Sequence, residues 1–271
     1  MAIDYKLPVA SAQVKSAILL AGLYADGRTI VEESSRSRDH TEKMLKRFGA
    51  KIKVDGLRVA IERSILKSPG RISVPGDISS AAFLIVAALI LDSSSVTIKN
   101  VGINPTRAGV IDILKKMGAR INIVNPRDQA GEPFADITAS SSSLRGIEIG
   151  QDIMPRLIDE LPVIMVAASL ARGTTVIRNA RELRVKETDR IFSMTANLKK
   201  MGADIRSEKD TVIINGTDTL KGADVDSFGD HRTAMCMAIA GLRARGKTSI
   251  SNTECVNKSF PGFESLLHKL I

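Results

Sequence analysis

The sequence predicts an α/β fold assembled from repeated units, and two recurring patterns carry this prediction. Four times, an apolar, alanine-rich helix is followed by a turn and a short strand. Each of these helices ends at a small residue and a leucine: Gly22-Leu23, Ala88-Leu89, Ser169-Leu170 and Gly241-Leu242. In the first three copies a second helix stops at a basic residue followed closely by glycine, as helices commonly do: Arg47-Phe48-Gly49-Ala50, Lys116-Met117-Gly118-Ala119 and Lys200-Met201-Gly202-Ala203.

Each copy also contains strand-like runs. Those after the first helices begin at Arg28, Ser95, Thr174 and Lys247. Alternating segments follow the second helices, and we expect them to be half-buried strands beginning at Lys51, Arg120 and Asp204. With the strand before each first helix, the unit is β-α-β-α-β-β. The units are too long and too unevenly spaced for a solenoid, so modules inside globular domains are expected.

The first and last copies lack part of this unit. The first begins almost at its first helix, and the fourth stops after 263–271 without closing strands. Because open sheet edges tend to pair with other strands, we expect the chain to be the latter part of a longer protein or to pair with another chain. A domain boundary is predicted near 73–77, between the first and second copies.

Composition narrows the class of protein. Apolar residues make up 44% of the chain and aromatic residues only 3%, so the core must be aliphatic. The longest apolar run, 81–91, is too short to cross a bilayer, and no apolar targeting segment opens the chain, so a soluble cytoplasmic protein is expected. Cys236 and Cys255 form neither a disulfide framework nor a metal cluster. The net charge of +9 is dispersed, which favours small anionic ligands over nucleic acid.

The most charged segment is 184–190, which follows a strand-like run and precedes a helix predicted to begin at 188–191. Lys186 and Arg190 would then lie on one face of that helix, as a clamp for a phosphate or carboxylate. Glu187 would stand beside them as a proton carrier. The alternative is an ordinary solvated first helical turn.

Polar residues also stand at the other predicted helix starts. Ser11 and Gln13 open one helix and Ser37 another, where each either caps the helix or contacts a ligand. The carboxylate pair at 159–160 precedes an apolar helix, and it either complements the helix dipole or supplies a base. The dipole disfavours Arg232 at a helix N-terminus, so this cation requires an anionic partner.

Together these motifs resemble the enolpyruvyl transferase family, and within it the shikimate branch. The resemblance covers the whole chain but only about the last two-thirds of the family's usual length. The run Lys186-Glu187-Thr188-Asp189-Arg190 is very specific. The other motifs follow in the family's order: Ser11-Ala12-Gln13, Pro75-Gly76-Asp77, Asp159-Glu160-Leu161-Pro162, Asp230-His231-Arg232 and Lys258-Ser259-Phe260-Pro261.

The resemblance implies an inside-out α/β barrel fold with six β-α-β-α-β-β units in two domains, four of the six being present here. Residues 1–73 would be the last unit of the first domain. Residues 74–271 would be the three units of the second domain, without its closing N-terminal strand. The resemblance further implies a full-length enzyme that is monomeric, uses no metal or organic cofactor, and binds neither nucleic acid nor membrane. An upstream half supplied as a separate chain is the other arrangement considered.

The implied reaction transfers the enolpyruvyl group of phosphoenolpyruvate to the 5-hydroxyl of shikimate 3-phosphate and releases phosphate, by addition and elimination. By position in the motifs, Asp159 would accept the hydroxyl proton and Glu187 would exchange the proton at the methylene carbon. The implied contacts to shikimate 3-phosphate are Ser11, Gln13, Ser37, Asp159 and Lys186. Those to phosphoenolpyruvate are Gln13, Arg190, Arg232 and Lys258.

Two departures from the family pattern are visible in the sequence. The family's first Pro-Gly-Asp-Lys-Ser motif is absent, and the most similar segment here, 75–79, has Ile78 in place of the lysine. The family's Asn-Ala-Gly-Thr…Arg segment is absent as well. We therefore expect this chain alone to be weakly active or inactive. Three alternatives stay open: enolpyruvyl transfer to UDP-N-acetylglucosamine, a non-catalytic anion-binding fragment, and an RNA-binding protein, because RNA 3′-phosphate cyclases contain a related repeat unit.

Overall fold

A computed structural model describes residues 1–129 and 131–270. Its α-helices are α1 (Ala12–Gly22), α2 (His40–Arg47), α3 (Ile78–Ile90), α4 (Gly109–Lys116), α5 (Met154–Leu157), α6 (Leu161–Ser169), α7 (Arg190–Lys200), α8 (His231–Gly241) and α9 (Phe263–Leu270). Short 3-10 helices span Gln151–Ile153, Arg181–Val185 and Thr253–Lys258.

The strands alternate with these helices in the order that the repeat predicts. They are β1 (Asp4–Lys6), β2 (Arg28–Glu32), β3 (Ile52–Asp55), β4 (Arg58–Glu62), β5 (Ser95–Gly102), β6 (Arg120–Gln129), β7 (Glu132–Ser140), β8 (Glu148–Ile149), β9 (Thr174–Ile177), β10 (Asp204–Glu208), β11 (Thr211–Asn215), β12 (Leu220–Lys221), β13 (Asp224–Asp226), β14 (Ala244–Arg245) and β15 (Ser249–Ser251).

The sheets repeat one topology. The first sheet has the order β1-β2-β4-β3, and the third unit has the same order in β8-β9-β11-β10. In both, the first pair of strands is parallel and the rest are antiparallel. The second unit has β5-β7-β6, with a parallel bridge from Gly76 to Val101 in place of the first strand. The fourth has the parallel pair β13 and β15. The β-α-β-α-β-β unit is therefore confirmed. The prediction that the first copy lacks part of the unit is wrong, because the short strand β1 precedes α1 and pairs with β2.

The segments expected to be half-buried strands are mostly exposed. They form β3, β6 and β10, of which β3 has only Ile52 partly buried and β10 only Ile205 buried. The strand order explains this error, because each of these strands is an edge strand of its sheet. The neighbouring strands β4, β7 and β11 lie inside the sheets and carry the buried residues. Alternation alone does not distinguish an edge strand from a central one.

Local chemistry sets the helix ends. Ser11, Asp77 and Asp230 are the N-caps of α1, α3 and α8, and each accepts a hydrogen bond from a backbone N–H in the first turn. The glycines that follow the second helices, Gly118 among them, have positive φ values. A side chain with a Cβ is strained in that conformation, so glycine ends these helices.

The first helices of the last three units form the interior. Helices α3, α6 and α8 contact one another pairwise, and nearly every residue of α3 and all of α6 are buried. The sheets therefore lie outside and the helices inside. Helix α1 is different, since only Lys15, Leu19 and Gly22 are buried along it.

The buried apolar residues form two clusters. One is confined to residues 7–61 and the other to residues 78–267. Residues 63–75 connect them without a helix or strand. The division into 1–73 and 74–271 stays a prediction, and we propose that it follows this separation of the two cores.

Candidate functional site

The Asp159 carboxylate lies at the centre of a cluster of five cations. Asp159 stands in the turn between α5 and α6, and its side chain is 15% exposed. Its Oδ1 atom is 3.7 Å from Lys186 Nζ and 3.7 Å from Arg190 Nη1. Its Oδ2 atom is 3.8 Å from Arg38 Nη1, 3.9 Å from Arg107 Nη1 and 4.0 Å from Arg232 Nη2. We call these six residues the Asp159 cluster.

None of these five distances is short enough for a hydrogen bond. Within residues 1–129 and 131–270, the Asp159 carboxylate accepts no hydrogen bond from a protein donor. Burial pushes the pKa of Asp159 upward, but Arg232, Lys186, Arg107 and Arg38 outweigh it and hold the pKa below its usual value. Asp159 is therefore ionised at neutral pH.

Four of the five cations come from equivalent places in the repeat, before or at the start of the second helix of a unit, whereas Arg232 lies on a first helix. Arg38 lies in the loop between β2 and α2, and Arg107 lies in the corresponding loop between β5 and α4. Lys186 and Arg190 lie at the corresponding place before and at the start of α7, and Arg232 lies in the first turn of α8. Four units thus direct positive charge to one point.

Arg190 is the most buried member of the cluster, with its side chain 1% exposed. Its Nε atom donates to Asp230 Oδ2 at 2.7 Å, and its Nη2 atom donates to Glu187 Oε2. Its Nη1 atom has no hydrogen-bond partner among the residues that the structure describes. A buried donor without an acceptor is costly, so this atom marks a place for an anionic ligand.

Glu160 is the neighbouring carboxylate and is fully buried. It accepts a hydrogen bond from Ser79 Oγ and two from Arg107 Nη1, at 3.0 and 3.3 Å. Burial nevertheless raises the pKa of Glu160, because the apolar surroundings oppose its charge more than Arg107 and Ser79 support it. Glu160 thus holds Arg107 in place and is closed off from a ligand.

A cleft of about 570 Å³ adjoins the cluster and contains four of the residues predicted to bind substrate. Its lining includes Arg38 and four predicted residues: Ser11, Gln13, Ser37 and Lys186. The Ser11 hydroxyl also accepts a hydrogen bond from the Val14 N–H at 3.4 Å, so it caps α1. The Ser37 hydroxyl donates to Glu33 Oε1.

Two predicted residues lie differently from the rest. Glu187 is half exposed and its carboxylate accepts from Arg190 at the rim of the cluster. Lys258 is exposed at the end of the 3-10 helix Thr253–Lys258. In the described part of the chain, its side chain forms no ion pair with a carboxylate.

The prediction that Lys186 and Arg190 share one helical face is wrong. Helix α7 begins at Arg190 with Asp189 as its N-cap, and Lys186 precedes it in an extended conformation. Asp189 accepts from the Phe192 N–H at 3.0 Å, and this cap fixes the start of the helix. The two cations meet instead through Asp159 Oδ1.

Sequence reasoning missed the part that Arg38 and Arg107 take in the cluster. Both stand two residues before the second helix of their unit. Aligning the repeats on those helix starts would have placed both beside the 184–190 segment. Arg107 stands in a proline-containing loop without neighbouring charges, so no local charge pattern marks it.

No metal centre or membrane-spanning helix is found among residues 1–129 and 131–270. No group of three or more His, Cys, Asp or Glu side chains there is arranged to hold a metal ion. No helix in that part combines the length and apolar character needed to cross a bilayer. Cys236 and Cys255 are both buried free thiols.

Comparisons with known proteins converge on one family. A family profile described as EPSP synthase (3-phosphoshikimate 1-carboxyvinyltransferase) matches residues 1–267. A protein named 3-phosphoshikimate 1-carboxyvinyltransferase from Geobacter sulfurreducens is 56% identical over 268 residues, which are 99% of this chain and 62% of that protein. A protein of the same name from Brevibacillus brevis is 55% identical over 99% of this chain and 63% of its own length.

Solved structures give the same result. The EPSP synthase structure from Acinetobacter baumannii superposes with a TM-score of 0.92 at 46% identity, covering 99% of this chain and 62% of that one. This similarity confirms the fold class that the sequence predicted. The chain spans just over three-fifths of the length of the relatives it matches.

Proposed function

The chain belongs to the EPSP synthase (3-phosphoshikimate 1-carboxyvinyltransferase) family, and from this premise we propose that it acts in transferring the enolpyruvyl group of phosphoenolpyruvate to the 5-hydroxyl of shikimate 3-phosphate. The observation that carries this proposal is the Asp159 cluster, in which one carboxylate without a hydrogen-bond donor faces five cations. Both substrates are polyanions, and one presents a hydroxyl that must lose its proton. The cluster suits this pair, because it offers a proton acceptor amid positive charge.

The residue roles in this proposal are those predicted from the motifs. Shikimate 3-phosphate occupies the cleft next to Lys186 and places its 5-hydroxyl at Asp159. Phosphoenolpyruvate occupies the side of the cluster where the buried Nη1 atom of Arg190 lacks a partner. The proposed contacts to shikimate 3-phosphate are Ser11, Gln13, Ser37, Asp159 and Lys186, and those to phosphoenolpyruvate are Gln13, Arg190, Arg232 and Lys258.

The proposed reaction has two steps. In the addition, Asp159 accepts the 5-hydroxyl proton, the hydroxyl oxygen bonds to C2 of phosphoenolpyruvate, and Glu187 delivers a proton to C3, which becomes a methyl group. In the elimination, C3 loses a proton to Glu187, the C2–C3 double bond forms again, and the bond from C2 to the phosphate oxygen breaks to release phosphate. Cations that stabilise the negative charge on both substrates favour each step.

Binding of the substrates resolves an apparent conflict at Asp159. A carboxyl group whose pKa is lowered by cations is a weak base. When the substrate phosphate and carboxylate groups approach the same cations, they offset the positive field at Asp159. The pKa of Asp159 then rises, so the carboxylate becomes a better proton acceptor in the complex than in the free protein.

The relatives also bear on the alternatives considered from the sequence. The two relatives described above carry a name that specifies shikimate 3-phosphate as the acceptor. Transfer to UDP-N-acetylglucosamine is therefore not favoured. A non-catalytic anion-binding role is an outcome that the following experiment distinguishes.

The test measures phosphate release from phosphoenolpyruvate and shikimate 3-phosphate. It uses this chain alone, and this chain mixed with the separately expressed part of the Geobacter sulfurreducens relative that this chain does not cover. We expect activity in the mixture, its loss in Asp159→Ala, and its retention in Asp26→Asn, which changes a carboxylate that is 87% exposed. Activity of the chain alone equal to that of the mixture would contradict the expectation that the chain alone is weakly active or inactive. No activity in either sample, with no binding of shikimate 3-phosphate, would refute the proposed function.

A further inference from the structure

Asn104 lies at the junction between the first unit and the second, outside the residues assigned above to substrate. It precedes α4 in the loop that carries Arg107, and it is 2% exposed. Its Nδ2 group donates to Asp39 Oδ1 at 2.7 Å and to Glu132 Oε2 at 3.0 Å. Its Oδ1 atom accepts from the Thr106 N–H at 2.9 Å. We call Asp39, Asn104, Thr106 and Glu132 the Asn104 latch.

Each loop of the latch carries a cation of the Asp159 cluster. Arg38 directly precedes Asp39, and Arg107 directly follows Thr106. The Thr106 hydroxyl is 3.1 Å from Asp39 Oδ1, and the Arg107 N–H donates to the Asn104 carbonyl at 2.8 Å. The latch therefore joins the backbones on which both guanidinium groups depend.

Asp39 gives up an ordinary bond to join this latch. It stands at the N-cap of α2, where an aspartate side chain usually accepts from the first helical turn. Its side chain makes no such bond and instead accepts from Asn104 and lies 3.2 Å from Lys43 Nζ. A side-chain cap stabilises the start of a helix, so at Asp39 a bond between units replaces a local stabilising bond.

The latch also links two parts of the chain with separate cores. Asp39 belongs to the unit whose apolar cluster ends at residue 61, and Asn104 belongs to the unit whose cluster begins at residue 78. The connecting residues 63–75 form no helix or strand. A second contact reinforces the link, since His40 Nδ1 lies 2.9 Å from Glu132 Oε1.

We propose that Asn104 is a positioning residue, which holds Arg38 and Arg107 from two different units at the Asp159 carboxylate. It touches no substrate itself. Removing its amide would separate the loops and move one guanidinium group away from Asp159. The following test uses shikimate 3-phosphate as the ligand, and this choice rests on the proposed function. The proposed effect of Asn104 on the positions of the two guanidinium groups does not depend on that function.

The first experiment compares Asn104→Ala with Asn197→Ala in the chain as it exists. Asn197 is the control, because it is fully buried and its amide makes two hydrogen bonds, both to the backbone of Asp226. Calorimetry measures the Kd for shikimate 3-phosphate, and denaturant titration measures unfolding. We expect both variants to lose stability, and only Asn104→Ala to bind at least about tenfold more weakly, because small misplacements of binding groups are costly. Equal weakening in both variants, or none in either, would overturn the proposal.

The second experiment gives a result even if the wild-type chain does not bind shikimate 3-phosphate. That lack of binding would count against the proposed function but not against the role of Asn104. Crystal structures of the two variants report where Arg38 and Arg107 lie. In Asn104→Ala we expect at least one guanidinium group to shift from Asp159 by about 1 Å or more, a displacement large enough to impair binding. Unchanged positions of both would overturn the proposal. If Asn104→Ala does not fold, the variant Thr106→Val takes its place in both experiments, because Thr106→Val removes only the hydroxyl hydrogen bonds of the latch.

Discussion

Replacing Arg190 by methionine should destabilise the chain strongly, because Arg190 balances a carboxylate that has no access to water. The Asp230 side chain is fully buried and receives the Arg190 Nε donor at 2.7 Å. Methionine fills a similar length of apolar space but leaves Asp230 Oδ2 without its charge partner. The Arg232 and Thr233 N–H groups still bond to Oδ1, at 2.7 and 3.3 Å.

The magnitude follows from that imbalance. Removing one partner of a buried ion pair costs about 3–5 kcal/mol. Loss of the bond to Glu187 adds little to this cost, because the Glu187 carboxylate is half exposed and water solvates it once the bond is gone. We therefore expect Arg190→Met to lower the free energy of unfolding by about 3–5 kcal/mol. Adding Asp230→Asn should restore part of this loss, because a neutral amide in the same place leaves no unpaired buried charge.

Denaturant titration followed by circular dichroism measures these changes. Arg184→Met is the matched control, since Arg184 also contacts two carboxylates, Asp189 and Asp210, but is a third exposed. Pairs of that kind contribute about 1 kcal/mol or less. The reasoning is refuted if the two arginine variants lose the same stability, or if Asp230→Asn adds to the loss instead of reducing it.

Two further predictions concern pH and close packing. The pKa of Asp159 is lowered in the folded protein, so its contribution to stability is present above the unfolded value of about 3.9 and is lost as pH falls through the lower folded value. Acid titration of stability should show wild type and Asp159→Asn converging at low pH, and a constant difference throughout would contradict this sign. Gly146→Ala should cost about 2 kcal/mol or more in denaturant titration, because a Cβ at 146 would lie 2.3 Å from the Thr174 carbonyl oxygen. Gly150→Ala, with no atom within 4 Å of the new Cβ, should cost less than half as much, and equal losses would exclude the contact as the cause.

Much of the fold could be predicted because its signals are local. The stop after Lys116 needs only Gly118, whose positive φ is cheap for glycine alone. The start of α8 needs only Asp230, which accepts from two N–H groups of its own first turn. Such signals recur in each unit, so the repeat was visible before any contact was known. The start of α7 was predicted only as 188–191, and the structure places it at Arg190, where Asp189 accepts from the Phe192 N–H.

Less of the site could be predicted, since its members are distant in sequence. Asp159, Arg190 and Arg232 were chosen through motifs, and the structure brings all three together. Arg107 carries no motif, and its role follows from the bonds that Glu160 and Ser79 make to it. The roles of these residues in a reaction stay predictions until substrate binding is measured.

By itself, the sequence determined the order and kind of the elements, the repeat, and the resemblance to the family, because periodicity, caps and glycine stops act over a few residues. Only the tertiary structure decided which charged loops meet. Arg38 and Arg232 are separated by most of the chain, yet both lie within about 4 Å of Asp159. Likewise Asp39 bonds to Asn104 instead of capping α2. The physical reason is that a polar side chain takes the best partner within reach, and packing between units determines which partners those are.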